Sequence, residues 1–226
     1  MTHAVGRPIV IFGTGELAQL ALFYFTHDSP RNVVAFTMNR SYVTDHEFQG
    51  LPLVAFEDIE RHYAPERFDL FVAIGYTALN SMRAQRCAEA KARGYCLATY
   101  ISSRASTWPD LAVGENCLIM EGNVLQPFVR VGNNVIMFCS SVVSHHVEIG
   151  DNCFIGSEAT ICGGVRIGAN SFIGANATIR EHLRIGEDCI IGAGALILSD
   201  TAAGSGYLGS ATADSGIPSR RLRSLL

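Results

Sequence analysis

With 226 residues, a formal net charge of −4 and no basic run before the last few positions, the chain is long enough for one large or two modest domains, and nucleic acid is not expected as a partner. No early basic segment leads into a long apolar run and no stretch reaches the eighteen apolar residues of a membrane span, so a cytoplasmic location without a membrane site is expected. The seven cysteines are odd in number and lack CxxC pairing, which reads as reduced, buried thiols rather than a disulfide framework.

Pro8 to Phe12 is a short apolar run that leads into Gly13-Thr14-Gly15, and Glu16 to Phe25 then carries apolar residues suited to a buried helix. That order is strand, glycine turn, helix. Further apolar runs at Val33 to Phe36 and Leu70 to Ile74 bracket a hairpin-like exposed segment around Gly50-Leu51-Pro52. From Ala78 to Arg93 polar and apolar residues alternate at helical spacing, and Gly94 stands where a C-terminal cap belongs. Residues 1–101 therefore read as a small α/β, Rossmann-like domain, with Tyr95 to Ser102 crossing to the second half of the chain. In a dinucleotide site an acidic residue closes the second strand to hold the ribose. Here that strand ends in Thr37-Met38-Asn39-Arg40 without a carboxylate, so a nicotinamide cofactor is not expected. The glycine turn either only starts a helix or cradles the phosphates of another nucleotide, with Gly13, Thr14, Gly15, Gly75, Asn39 and Arg40 as the candidate residues.

From Val113 to Ile197 an aliphatic residue returns every sixth position without a miss. At a background of about one aliphatic in three, fifteen in a row arise by chance on the order of once in ten million. A period of six fits neither a helix nor a flat strand. It is the hexapeptide signature of a parallel β-helix, in which three repeats close a triangular coil. Near-identical corners recur every eighteen residues, as in Val131-Gly132-Asn133-Asn134 and Ile149-Gly150-Asp151-Asn152, where Gly, Asn and Asp suit a positive φ. A second corner row carries Gly156, Gly174 and Gly192. Cys117, Cys153, Ala159, Ser171, Ala177, Cys189 and Ala195 fall on a small inward position. The third row departs from the pattern: it includes Ser144-His145-His146, Ile161-Cys162-Gly163-Gly164 and Ile179-Arg180-Glu181-His182, and it holds every histidine of the repeat region. The β-helix is assigned to residues 102–202 and a C-terminal tail to 203–226, ending in Arg220, Arg221 and Arg223.

The early Gly-x-Gly turn, the strand end at Ile74-Gly75 followed by Arg83, and a hexapeptide β-helix with a histidine on one corner together resemble the sialic acid O-acetyltransferase and bacillosamine-pathway N-acetyltransferase family. The resemblance spans nearly the whole chain. It implies a left-handed β-helix, a homotrimer with sites between subunits, acetyl-CoA as co-substrate without a metal, and a nucleotide-linked amino sugar as acceptor. By position the family's catalytic base falls on His145, and its backbone oxyanion donor one coil further falls on Gly163. The residue after the base, commonly acidic in the family, is His146, which leaves Glu148 and Glu181 as candidates to orient the imidazole. A second histidine nine residues on in some members is here Phe154, and the glycine turn is shorter than the usual one with its internal histidine.

Acyl transfer from a thioester to an amine needs a group to take the proton and a donor to steady the negative oxygen. A histidine suits the first task and the uncluttered backbone at Gly163-Gly164 the second. Small residues, among them Ser157, Ala175 and Ala193, leave room for a pantetheine arm; Gly164 and Gly209 complete the expected acetyl-CoA contacts, and Gly209-Ser210 with the terminal arginines would meet the adenylate phosphates. Cys162 is a poorer choice as a nucleophile, because it follows an inward aliphatic residue. His182 reads as structural or as lining the substrate. The alternatives are sugar O-acetylation, an inert scaffold, and a γ-carbonic-anhydrase-like hydratase built on His146, His182 and Glu187, where a third histidine would be needed for the usual zinc triad.

Overall fold

The computed structural model describes residues 6–214 and 216–218. Its first part is a five-stranded sheet. Strand β1 (Ile9–Phe12) is followed by helix α1 (Glu16–His27), β2 (Val33–Met38), β3 (Glu47–Phe48), β4 (Leu51–Ala55), the single turn α2 (Ile59–His62), β5 (Asp69–Val72) and α3 (Ser81–Ala92). The strand order is β3-β4-β2-β1-β5. β1 runs parallel to β2 on one side and to β5 on the other, so the chain reverses direction across the sheet at β1. The segment around Gly50 forms the expected hairpin, pairing Glu47 with Pro52 and Phe48 with Leu51, but its second strand also extends the sheet in parallel with β2.

Alternation along β1 feeds two cores, because successive strand residues point to opposite faces. Ile9 and Ile11 pack with Ala18, Ala21 and Phe25 of α1, whereas Val10 and Phe12 pack with Cys87 and Ala90 of α3. Gly94, at φ 87, ends the last turn of α3 in the left-handed conformation that glycine adopts without strain.

The remainder is a stack of two-residue rungs forming three parallel sheets. The first face carries Ala112–Val113, Arg130–Val131, Glu148–Ile149, Arg166–Ile167 and Arg184–Ile185. The second runs from Leu118–Ile119 to Ile190–Ile191 and the third from Val124–Leu125 to Leu196–Ile197. In each rung the second residue is the aliphatic of the sixfold frame, and these side chains fill the prism together with the small inward residues. Each fully buried aliphatic contributes about 1.5–3 kcal/mol. Burial also pushes the inward thiols of Cys117 and Cys153 up to about 12, and all seven cysteines are free.

The limits of the coil differ from those drawn at residues 102 and 202. Tyr100–Ile101 already forms the first rung of the second face while Leu97 bridges Leu70 of β5, so the crossing segment belongs to both parts. At the other end Thr201 bridges Ile185, and Gly206–Tyr207, from the stretch assigned to the tail, adds a rung by pairing with Ile190–Ile191.

The corner glycines also act differently from expectation. On the first row the positive φ belongs to Asn116, Asn134, Asn152, Asn170 and Asp188, not to the glycines. The glycines are there for closeness: a β-carbon at Gly150 would stand 2.8 Å from the Ala169 nitrogen of the next coil. The asparagine side chains form a ladder, with Nδ2 of Asn116 donating to Oδ1 of Asn134 at 2.8 Å and the series continuing through Asn152 and Asn170 to Asp188.

The α/β part covers the second face. Leu118, Ile136 and Phe154, which point outward from the β-helix, share one core with Ile9, Ile11, Phe25 and Phe71. Tyr76, just beyond β5, meets Phe154 and Phe172 edge-on at 4.9 and 5.0 Å.

Candidate active site

The third corner row turns between the third and first faces. At its second corner position stand Pro127, His145, Gly163 and Glu181, and at its third stand Phe128, His146, Gly164 and His182, all four with φ between 59° and 70°. Side chains at these two positions lean in opposite directions along the stack. The His145 ring leans toward the next coil, where a β-carbon at Gly163 would stand 2.6 Å from Cε1 and 2.8 Å from Nε2. His146 leans back and lies against the Phe128 ring at 4.6 Å. His182 also leans back, and its ring takes the room that a β-carbon on Gly164 would need.

The glycine pair is thus a notch into which two imidazoles fold. Its backbone is held by Gly164 N–H donating to the His145 carbonyl and His182 N–H donating to the Gly163 carbonyl, both at 2.9 Å. The Gly163 N–H has no acceptor among the described residues. A free amide donor beneath an imidazole is the pairing that acyl transfer requires.

What holds the His145 ring is its neighbour: Nδ1 of His145 lies 3.2 Å from Nδ1 of His146, and Gln126 Oε1 accepts the His145 backbone N–H. The carboxylates considered for this task do not meet it. Glu148 is on the first face, 3.7 Å from Arg166, and Glu181 has no hydrogen bond or ion pair among the described residues. Lacking an acidic residue after His145, the chain uses a second imidazole whose own position is fixed by Phe128. Phe154 is buried beneath Tyr76 on the second face, away from this corner. Cys162 donates its backbone N–H to Ile179 and makes no hydrogen bond with His145 among the described residues. Glu187 stands on the first corner row, and no group of three His, Cys, Asp or Glu among the described residues is placed to hold a metal ion.

Along the second corner row Ala175 and Ala193 are exposed and form a ledge without large side chains. Gly209 lies against it so closely that a β-carbon there would overlap the Ala193 carbonyl oxygen. Arg220, Arg221 and Arg223 lie outside the described residues.

In the α/β part Gly13, at φ 119, turns the chain out of β1, and a β-carbon there would stand 3.0 Å from the Ala73 carbonyl oxygen. The loops after β1 and β5 therefore sit side by side at the carboxyl ends of strands that diverge in connection, where open α/β sheets place their crevice. Gly15 caps α1 without a side-chain hydrogen bond, leaving first-turn N–H groups directed at the loop. Thr14 Oγ1 reaches Met38 Sδ at 3.5 Å. Asn39 precedes a short 3₁₀ turn, and Arg40 is paired with Asp58 at 2.6 Å, so a ligand phosphate would compete with a carboxylate for it.

Arg83 is a residue whose role the sequence did not disclose. It is fully buried on α3, with no carboxylate partner among the described residues. Its guanidinium donates to the Gly75 carbonyl at 2.7 Å, to Asn80 Oδ1 and Asn134 Oδ1 at 3.0 Å, and to the carbonyls of Asn134, Asn152 and Cys153. Burial lowers its pKa to about 10, so it remains a cation near neutrality. The loop after β5 is thereby tied to two coils of the β-helix.

Residues 164–199 match the bacterial transferase hexapeptide family of six repeats, and residues 146–181 match the hexapeptide repeat of succinyl-transferase. Among curated protein sequences none matches. Solved structures do. The acetyltransferase domain of PglB from Neisseria gonorrhoeae, solved also with acetyl coenzyme A, is 26% identical with a TM-score of 0.78, over 90% of this chain and 97% of that one. PerB from Caulobacter crescentus, in complex with CoA and GDP-perosamine, is 26% identical with a TM-score of 0.80, over 91% and 95%. WeeI from Acinetobacter baumannii, 21% identical with a TM-score of 0.76 over 89% and 96%, shares the fold.

Proposed function

We propose, starting from the chain's membership of the hexapeptide-repeat acyltransferase family, that it transfers an acetyl group from acetyl-CoA to the amine of a nucleotide-linked amino-deoxysugar for a surface glycan. The observation that carries the reading is the His145 ring resting over Gly163, whose amide N–H is free among the described residues. His145 takes a proton from the attacking amine, His146 holds the His145 ring, and the Gly163 N–H receives the oxygen that becomes negative in the tetrahedral intermediate. Direct attack needs no covalent enzyme intermediate, so Cys162 has no part in it.

Acetyl-CoA is assigned to the ledge of Ala175 and Ala193 with Gly164 and Gly209, where small side chains leave room for the pantetheine arm. The acceptor's nucleotide is assigned to the Gly13-Thr14-Gly15 turn with Gly75, Asn39 and Arg40, supported by the uncapped start of α1. CoA and GDP-perosamine in PerB favour amine acylation over the O-acetylation of the sialic-acid type.

A homotrimer of left-handed β-helices completes this reading. His145, His146 and His182 are exposed, so one chain alone leaves the reaction in open water. A neighbouring β-helix against the corner would enclose it.

The test is His145→Ala. It should lower kcat by roughly 10²–10⁴ at saturating acetyl-CoA and sugar nucleotide, with the dissociation constant for acetyl-CoA nearly unchanged. Near-normal turnover in this variant would refute the mechanism.

A further inference from the structure

The notch at Gly163-Gly164 is entered from both sides, and only one of the two rings has a task so far. His182 is exposed, and neither of its ring nitrogens has a hydrogen-bond partner among the described residues. In this it differs from His146, which occupies the same corner position two coils earlier but is stacked on Phe128 and bonded to His145. The His182 backbone holds φ at 59°, a conformation that disfavours most side chains, and its ring nevertheless folds over Gly164. The rings of His145 and His182 therefore rest above adjacent α-carbons, ~3.8 Å apart, the first arriving from the coil before the glycine pair and the second from the coil after it.

That order along the stack assigns sides to the reaction. With the acyl carbon above the Gly163 N–H, a nucleophile attended by His145 approaches from the side of the earlier coil. The departing group then leaves on the side of the later coil. We infer that His182 is a second catalytic residue, the proton donor to the departing thiolate, an assignment that rests on the acyltransferase function proposed for the chain.

The step balances. The amine nitrogen forms its bond to the acyl carbon and gives a proton to neutral His145, and the carbonyl oxygen gains negative charge at the Gly163 N–H. Collapse restores the carbonyl and breaks the C–S bond, whose electron pair goes to sulfur. Protonated His182 gives its proton to that sulfur, releasing the thiol. After the products leave, the site reopens to water, which takes the proton from His145 and returns one to His182.

The experiment varies the leaving group. His182→Gly removes the ring and relaxes the positive φ. With S-acetyl-pantetheine, whose alkyl thiolate is a poor leaving group, kcat/KM should fall by about 10². With S-phenyl thioacetate, whose thiolate leaves without help, wild type and variant should be alike. If His182→Gly melts early, His182→Asn replaces it, since asparagine tolerates this backbone and supplies no such acid. An equal loss with both thioesters, or no loss with S-acetyl-pantetheine, would overturn the assignment. His145→Ala should slow both thioesters equally, so failure of the acyltransferase reading is visible separately from failure of the proton donor.

Discussion

Arg83 sets the scale of what one buried residue contributes here. A guanidinium removed from water needs its N–H groups paired, and this one meets carbonyl and amide oxygens, from the loop after β5, from Asn80 just before α3 and from two coils of the β-helix. No carboxylate among the described residues neutralises it, so its stability rests on the number and geometry of those oxygens. Arg83→Met would leave several of them buried without a donor, at about 1–3 kcal/mol each. We expect a fall of at least about 3 kcal/mol in the free energy of unfolding, read by chemical denaturation, and Arg83→Lys should recover only part of it because an ammonium lacks the planar fork. An unchanged midpoint in Arg83→Met would mean that the carbonyls find other donors. The histidines show the opposite case. Their chemistry depends on what is missing beside them, since a side chain at Gly163 or Gly164 would displace the ring of His145 or His182.

At the scale of elements, one carboxylate ties α1 to the start of the β-helix. Asp28, at the end of α1, accepts hydrogen bonds from Ser103, from Tyr100 at 2.6 Å and from Ser102 at 3.0 Å. These bonds, that from Ser103 foremost and then that from Tyr100, lower its pKa to about 2. A carboxylate with a depressed folded pKa contributes stability that is present above its unfolded value of 3.8 and is lost as pH falls toward 2. Melting temperature should therefore drop between about pH 4 and pH 2, and Asp28→Asn should be less stable at neutral pH with a flatter dependence across that window. Parallel acid curves for both proteins would exclude Asp28 as the source. The joint matters to the site because α1 begins at the glycine turn proposed for the nucleotide.

For the whole molecule the three faces divide the work. The second face is covered by the α/β part, and the first bears Arg130, Glu148, Arg166 and Arg184 in register. The third presents Val124, Val142, Thr160, Thr178 and Leu196 without a charge, and it borders the histidine corner. A neutral face beside an exposed site is where a second copy would enclose the chemistry. Thr178→Glu should then yield monomers in sedimentation and lower activity with the secondary structure intact; a fully active assembly of unchanged size would exclude this face as the contact. The sequence by itself determined the β-helix, because an inward aliphatic at every sixth residue and a corner at every eighteenth are one-dimensional patterns that specify each rung locally. It likewise marked the strand, glycine turn and helix at the start, and singled out His145 and the glycine pair on the irregular row. Only the tertiary structure decided that His146 rather than Glu148 or Glu181 meets the His145 ring, because side-chain direction at a corner follows the local φ and the space left by the neighbouring coil. It alone joined Arg83 to Asn134 and Asn152, 51 and 69 residues away, and laid the α/β part on the second face. Contacts at such separations carry no repeat in the sequence; they arise when two independently patterned units bury their exposed apolar surfaces against one another.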